Sequence, residues 1–188
     1  FASFVDFDLT NLKGAATLTY WTWYDLEENY DFVHLSVSED GKSWKILKTP
    51  SGTDKNISGN SFGWGYNGLT RNWIQEKVDL SSYAGKKIQV RFEYITDAAV
   101  NGEGMLLDDI AIPELGYKTD FEKDDGGWQA AGFVRIENRL PQTYKLSLIR
   151  DDKAKTVEYL QLKDDQTLSL PLDLSSDVVL VVSGSTRF

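Results

Sequence analysis

The feature that most constrains this chain is a series of short runs in which every second residue is hydrophobic. The clearest run covers residues 88–94, where Ile88, Val90, Phe92 and Tyr94 alternate with polar or charged neighbours. A period of two places such side chains on one face of a β-strand. Similar runs, bounded by Gly, Asn, Asp and Ser, recur along the sequence without comparable helical periodicity. The pattern predicts an all-β fold of the sandwich type.

A second run, residues 32–37, concerns the single histidine of the chain, His34. Val33, Leu35 and Val37 occupy alternate positions of this run and are expected to face the core. The same alternation predicts that His34 lies on the solvent side, as a surface residue without a special role.

A turn signal follows this run. The dipeptide Asp40-Gly41 lies between two strand-like stretches, and Trp44 comes shortly after it. Asp-Gly favours a two-residue hairpin turn because both turn positions need a positive φ. We predict a hairpin over 38–44, with Trp44 folding back on the sheet.

The composition of the chain changes near residue 117. Five of the six tryptophans precede residue 118, and the segment 120–127 is acidic and rich in glycine. Five short β-like runs follow, separated by turn signals, near 132–139, 143–150, 156–162, 167–172 and 177–183. We therefore predict two β modules, 1–117 and 118–188.

Charge and residue usage exclude several classes of function. The chain has 20 Lys and Arg against 29 Asp and Glu, a net charge of −9, which argues against nucleic-acid or anionic-membrane partners. With no cysteine and one histidine, it lacks disulfides, thiolate nucleophiles and the two-histidine zinc motif H-E-x-x-H. No run reaches the roughly 18 apolar residues of a membrane span. Paired carboxylates, as in glycoside hydrolysis, are the remaining catalytic alternative, and we predict no catalytic residues.

Six blocks of the first module resemble, in order, the accessory β-domain of immune-inhibitor-A-like secreted metallopeptidases. The blocks are Tyr20-Trp21-Thr22-Trp23-Tyr24-Asp25, 28–32, 38–44, 79–86, 90–97 and Leu107-Asp108-Asp109-Ile110. Segments 132–136 and 178–184 resemble the β module that follows this domain in many such peptidases. The resemblance implies a jelly roll over 1–117, similar to MAM domains and carbohydrate-binding modules, and a small β-sandwich over 118–188.

The resemblance also implies a role outside catalysis. The activity of this family resides in a separate zinc domain with H-E-x-x-H, which the chain lacks. We therefore expect an extracellular accessory or interaction region that stabilises, positions or targets a catalytic domain, with that domain or a cell-surface component as its partner. Because the chain starts at Phe1 without Met and shows no signal-peptide pattern, we expect a mature or excised segment, and the resemblance implies a C-terminal one.

Carboxylates at or beside the ends of predicted strands form the first candidate site. They are Glu27, Glu28, Asp31, Asp97, Asp108 and Asp109. Calcium takes about six to eight oxygen ligands in flexible geometry. The resemblance to jelly-roll modules that hold such an ion favours a structural calcium bound by Glu28, Asp31, Asp97, Asp108 and Asp109. Solvated loop charge and ordinary turn chemistry are the alternative.

The strand around Ile110 supports the same expectation. Alternation places Asp108 and Asp109 on opposite faces, so one of them is expected to point toward the packed side without a Lys or Arg in the same run. If the first and last strands of a jelly roll lie side by side, Asp6 or Asp8 also comes close to these two residues.

Aromatic residues form the second candidate site: Trp21, Trp23, Trp64, Tyr66 and Trp73. A flat platform of this kind binds sugar rings in carbohydrate-binding modules, so a glycan-binding module of a secreted or cell-surface protein is the alternative function. Alternation places Trp21 and Trp23 on one sheet face. If the glycine-rich segment 49–76 packs Trp64 or Tyr66 over that face, these aromatic residues are structural instead.

Overall fold

The computed structural model of the protein describes residues 1–136, 142–151, 155–165, 167–171 and 177–186, and none of these residues lies in an α-helix. The strands are β1 (Ala2–Asp8), β2 (Thr17–Asp25), β3 (Phe32–Ser38), β4 (Lys45–Ile46), β5 (Ile74–Asp79), β6 (Lys87–Ile95), β7 (Gly104–Ile112), β8 (Tyr117–Thr119), β9 (Gln129–Ala131), β10 (Gln142–Asp151), β11 (Lys155–Leu160) and β12 (Val178–Thr186). The all-β prediction is confirmed. Within the described part of the chain, no helix is long and apolar enough to cross a membrane.

Two antiparallel sheets share one core in the first part of the chain. One sheet has the strand order β4-β3-β6-β1-β9, and the other has the order β5-β2-β7-β8. Val90 and Phe92 of β6 and Leu18 and Tyr20 of β2 are fully buried in this core. The rings of Tyr20 and Phe92 meet edge to face, with centroids 5.1 Å apart. The apolar face of each sheet therefore packs on the other sheet, as alternation predicts.

The chain divides into unit 1, Phe1–Ile136, and unit 2, Glu137–Phe188. The predicted boundary at 117/118 falls inside unit 1, because the residues beyond it are still part of the sandwich. Strand β8 pairs with β7, β9 pairs with β1, and Trp128 is buried in the core. The acidic segment 120–127 forms turns in which aspartate side chains accept backbone N–H groups.

Three strands among the described residues of unit 2 form an antiparallel sheet with the order β11-β10-β12. The predicted runs near 143–150, 156–162 and 177–183 correspond to these strands. The other two predicted runs form no strand among their described residues: 132–136 has an isolated bridge at Gly132, and 167–171 lies outside every strand. Residues 137–139 and 172 of these runs lie outside the described residues.

The first and last strands predicted for the module 1–117, β1 and β7, are not neighbours. Strand β1 pairs with β6 and β9, whereas β7 lies in the other sheet between β2 and β8. The structure therefore does not bring Asp6 or Asp8 beside Asp108 or Asp109. Asp8 instead lies 3.3 Å from the ammonium of Lys87 on the neighbouring strand.

Residues 49–66, which we call the covering segment, pass the edge of β3, and residues 62–65 of this segment contact His34 on the outer side of β3. The backbone of Tyr66 pairs with that of Val33 at the edge of β3, with N–H to O distances of 3.1 and 2.8 Å. The Trp64 carbonyl lies 3.0 Å from His34 Nδ1, and His34 is only 1% exposed. The prediction of a solvent-exposed His34 is wrong, because the covering segment buries the side of the sheet that faces away from the core.

The hairpin at 38–44 is confirmed, with a longer connection than a two-residue turn. Strands β3 and β4 pair as antiparallel neighbours, and within residues 39–44 only Gly41 has a positive φ, 69°. The Asp40 carboxylate accepts backbone N–H groups across the connection. Trp44 folds back as predicted, with its ring 3.9 Å from the guanidinium carbon of Arg91 on β6.

Candidate functional site

Three carboxylates converge where the β2–β3 turn meets the β6–β7 loop. One oxygen from each of Glu27, Asp31 and Asp97 lies within 4.8 Å of the others. We call these three residues the acidic cluster. Asp31 and Asp97 belong to the predicted calcium ligands, whereas Glu27 takes the place of the predicted Glu28, whose side chain is exposed.

The backbone of the β2–β3 turn holds two members of the acidic cluster in place. Asn29 has a φ of 72°, a left-handed conformation that asparagine adopts more readily than most residues. The N–H groups of Tyr30 and Asp31 donate to the Glu27 carbonyl at 3.2 and 3.0 Å. The amide nitrogen of Asn67 donates to the carbonyl oxygens of Glu27 and Asp31 at 3.2 and 2.8 Å. These bonds bring the two carboxylates together despite their like charge.

The carboxylates of the acidic cluster are unequally satisfied. Asp31 is fully buried and accepts hydrogen bonds from the Tyr94 hydroxyl at 2.9 Å and the Asp97 N–H at 3.2 Å. Glu27 Oε2 is buried without a hydrogen-bond partner. Loss of hydration and the charges of Asp97 and Asp31 raise the pKa of Glu27. None of the ion pairs among the described residues includes a member of the cluster.

This donor set fits a hard cation. A buried carboxylate oxygen is costly unless it is paired or bound to a metal, and the side-chain ligands of the acidic cluster are all oxygens. Calcium prefers carboxylate and carbonyl oxygens, whereas zinc sites draw on histidine and cysteine.

Asp108 and Asp109 lie outside the acidic cluster, on β7. Thr19 and Trp21 of β2 are separated by one residue, whereas their partners on β7, Ala111 and Asp108, are separated by two. Asp109, one of these two residues, has a φ of 48°. This β-bulge interrupts the alternation and leaves both carboxylates partly exposed. The expectation that one of them points into the packed side is therefore wrong. Lys118 of β8 neutralises Asp109 at 2.9 Å.

The structure does not bring the five predicted aromatic residues together. Trp21 and Trp73 are 38% and 43% exposed, and Trp23 is partly exposed on the same face of β2 as Trp21. Tyr66 is fully buried in the core, where its hydroxyl is hydrogen-bonded to that of Tyr20. Trp64 belongs to the covering segment of the other sheet, and its indole N–H donates to the Thr49 carbonyl at 3.0 Å.

Glu76 of β5 is a fully buried carboxylate that was not among the residues predicted from the sequence. Its Oε2 accepts the Ser51 N–H at 3.5 Å, and its Oε1 has no hydrogen-bond partner. Burial, followed by the charge of Glu76, raises the pKa of Tyr66. The available signal was that Glu76 lies two residues from both Ile74 and Val78 in one strand, so a period of two places it on the same core-facing side.

Comparison with known families finds one model that covers most of the chain. Residues 3–138 match the family described as Immune inhibitor A-like, MAM domain. The match includes β8, which spans the predicted boundary, and β9, which lies beyond it.

Three curated proteins illustrate the similarity. The chain is 37% identical over 122 residues to Immune inhibitor A of Bacillus thuringiensis subsp. alesti, which covers 64% of this chain and 16% of that protein. It is 30% identical over 103 residues to Bacillopeptidase F of Bacillus subtilis (strain 168), covering 54% and 6%. It is 29% identical over 115 residues to Pre-pro-metalloprotease PrtV of Vibrio cholerae serotype O1 (strain M66-2), covering 59% and 12%. The chain thus spans less than a fifth of each relative.

Proposed function

Because residues 3–138 make this chain a member of the immune inhibitor A-like MAM domain family, we propose that it is a non-catalytic accessory region of a secreted metallopeptidase. The family match is the observation that carries this proposal. It confirms the resemblance seen in the sequence, and the absence of H-E-x-x-H from the chain supports a role outside the chemical step. The partner is the catalytic domain of the same protein, and the location is extracellular.

The accessory role is tested in the parent peptidase, with and without this segment. We expect the shortened enzyme to cleave a short peptide with an unchanged kcat and to unfold at a lower temperature. We also expect the isolated chain to leave casein intact in the presence of zinc. Casein cleavage by the isolated chain would contradict the proposal. So would a complete loss of short-peptide cleavage in a shortened enzyme that remains folded.

A structural calcium ion held by Glu27, Asp31 and Asp97 is the second part of the proposal. Its support is the approach of the three carboxylates within 4.8 Å, together with the buried, unpartnered Glu27 Oε2. The ion supplies positive charge where the described residues form no ion pair. Because Asp97 comes from a different loop than the other two residues, joint binding would tie the β2–β3 turn to the β6–β7 loop.

Calcium binding is measured by thermal unfolding with and without a chelator. At a calcium concentration about 100 times Kd, binding adds about 2.7 kcal/mol of stability, so chelation should lower the Tm of the wild type. Asp97→Asn should remove most of this shift, since it deletes a ligand charge and keeps the backbone N–H that Asp31 accepts.

Two variants serve as matched controls. Glu28→Gln and Asp109→Asn each remove one acidic charge outside the acidic cluster, and both should retain the calcium-dependent shift. An unchanged wild-type Tm on chelation, with no bound calcium by elemental analysis, would contradict calcium binding while leaving the accessory role intact.

A further inference from the structure

The outer face of β5, β2 and β7 carries an open aromatic strip that the proposed function does not use. Trp21 and Trp23 lie two residues apart on β2, on the side opposite the buried Tyr20 and Tyr24. Residues two apart along a strand are separated by about 7 Å. Trp21 retains 38% of its surface in contact with solvent, so its ring is available to a ligand.

Hydrogen-bonding side chains flank the strip on both neighbouring strands. Trp21 is directly opposite Asp108 on β7 and Gln75 on β5, and directly opposed residues lie on the same face of a sheet. Adjacent strands are about 4.8 Å apart, so a carboxylate and a carboxamide stand on either side of one indole. Trp23 is directly opposite Leu106, and the exposed Trp73 immediately precedes β5.

The charge on Asp108 indicates what kind of ligand fits. Asp108 forms none of the ion pairs among the described residues, because Lys118 forms its ion pair with Asp109 instead. Its Oδ1 accepts the N–H of Asp109 at 2.6 Å. A dry protein interface over Trp21 would strip water from this carboxylate, which is costly unless the partner places a cation against it. A ligand rich in hydroxyl groups avoids this cost, because each hydroxyl can donate a hydrogen bond to the carboxylate.

We propose that this face binds a neutral β-1,4-linked polysaccharide chain lying along β2, because such a chain is extended and presents flat ring faces to the straight row of Trp21 and Trp23. The chain stacks its ring faces on Trp21 and Trp23 and places its equatorial hydroxyls against Asp108 and Gln75. Aromatic faces carry a negative quadrupole that attracts the C–H groups of a pyranose. The net charge of −9 disfavours acidic polysaccharides. This inference is independent of the calcium site and goes beyond the accessory role.

The test measures binding of cellohexaose, chitohexaose and a heparin hexasaccharide to the whole chain by calorimetry. We expect millimolar or tighter binding of at least one of the two neutral hexasaccharides, and weaker binding of heparin. Trp21→Ala should weaken that binding about tenfold or more, which corresponds to about 1.4 kcal/mol. Asp108→Asn should also weaken it, because a hydrogen bond to a charged acceptor is stronger than one to a neutral acceptor.

Two matched variants separate this surface from general effects. Asp109→Asn removes the neighbouring charge that Lys118 already neutralises, and Phe62→Ala removes an exposed ring, 73% accessible, from the covering segment of the other sheet. Both should bind as the wild type does, and all variants should retain the wild-type circular dichroism.

Three results would overturn the proposal. They are the absence of binding to either neutral hexasaccharide, binding by Trp21→Ala and Asp108→Asn that is as tight as that of the wild type, and tighter binding of heparin than of the neutral hexasaccharides. Binding of the parent catalytic domain that is lost in Trp21→Ala, without any hexasaccharide binding, would identify the face as a protein interface instead.

Discussion

The outer faces of the two sheets in unit 1 show the same alternation with core residues in the sequence, but they differ in their exposure to solvent. Phe32 and His34 on β3 alternate with core residues, as Trp21 and Trp23 do on β2. Phe32 and His34 are each 1% exposed, whereas Trp21 is 38% exposed. The difference arises from the covering segment, which lies over β3 and leaves the face of β2 in contact with solvent.

The buried outer face of β3 contributes to stability, whereas the open outer face of β2 is available for binding. All residues of β3 are buried, so both of its faces contribute packing to the folded state. The open face of β2 contributes less packing and keeps large aromatic surface free, which is typical of interaction sites. The polar residues of β3 conceal its double burial, because a strand buried on both faces usually shows a continuous apolar run.

The sharpest test replaces one aromatic residue on each outer face. Phe32→Ala should lower the free energy of unfolding by about 3–5 kcal/mol, since it leaves a cavity beneath the covering segment. Trp21→Ala should lower it less, by about 1–2 kcal/mol, because more than a third of the Trp21 surface already contacts water and its removal leaves no closed cavity. Urea unfolding of both variants measures the two changes. Equal losses would show that the two faces are packed alike.

A smaller effect is expected from glycines that differ in the space around them. A Cβ at Gly65 would lie 2.7 Å from His34 Nδ1 and 3.0 Å from the Val33 carbonyl oxygen, whereas Gly14 has nothing within 4 Å. Gly65→Ala should therefore destabilise the fold by about 1–3 kcal/mol through overpacking. The comparison variant, Gly14→Ala, should unfold at nearly the same urea concentration as the wild type. A neutral Gly65→Ala would mean that the covering segment can move away from β3 without cost.

The smallest effect concerns the hairpin that leads from β3 toward the covering segment. Hydrogen bonds from the backbone N–H groups of Ser43 and Lys42, and from the Ser38 hydroxyl, lower the pKa of Asp40 to about 2. Since this pKa lies below the value of about 3.9 in an unfolded chain, the ionised form stabilises the fold above about pH 4. That contribution is lost as the pH falls toward about 2.

Asp40→Asn should remove this part of the acid sensitivity and no other part. The measurement is the difference in unfolding free energy between about pH 5 and about pH 3, which should be smaller in the variant than in the wild type. An identical difference in both proteins would show that the hydrogen bonds of Asp40 do not favour its ionised form in solution.

Much of unit 1 could be predicted from sequence, because its main signals are local. The alternation at 88–94 identified a core strand, and the Asp40-Gly41 turn identified a hairpin. The ordered blocks of the first module identified the family. The candidate site was predicted only in part, since Asp31 and Asp97 belong to the acidic cluster and Glu28 does not. Choosing Glu27 over Glu28 depends on the left-handed Asn29, which no spacing rule specifies.

The sequence by itself determined that this protein is all-β and that its apolar faces meet in a sandwich, because a strand of period two encodes its own core side. The ordered blocks of the first module determined which family it belongs to. Only the tertiary structure decided what happens on the other side. It buried His34 beneath a distant segment, moved Asp108 and Asp109 out of the core through a one-residue bulge, and joined Trp128 to unit 1. The physical reason is that burial and register depend on contacts between residues far apart in the chain, and alternation carries no information about those contacts.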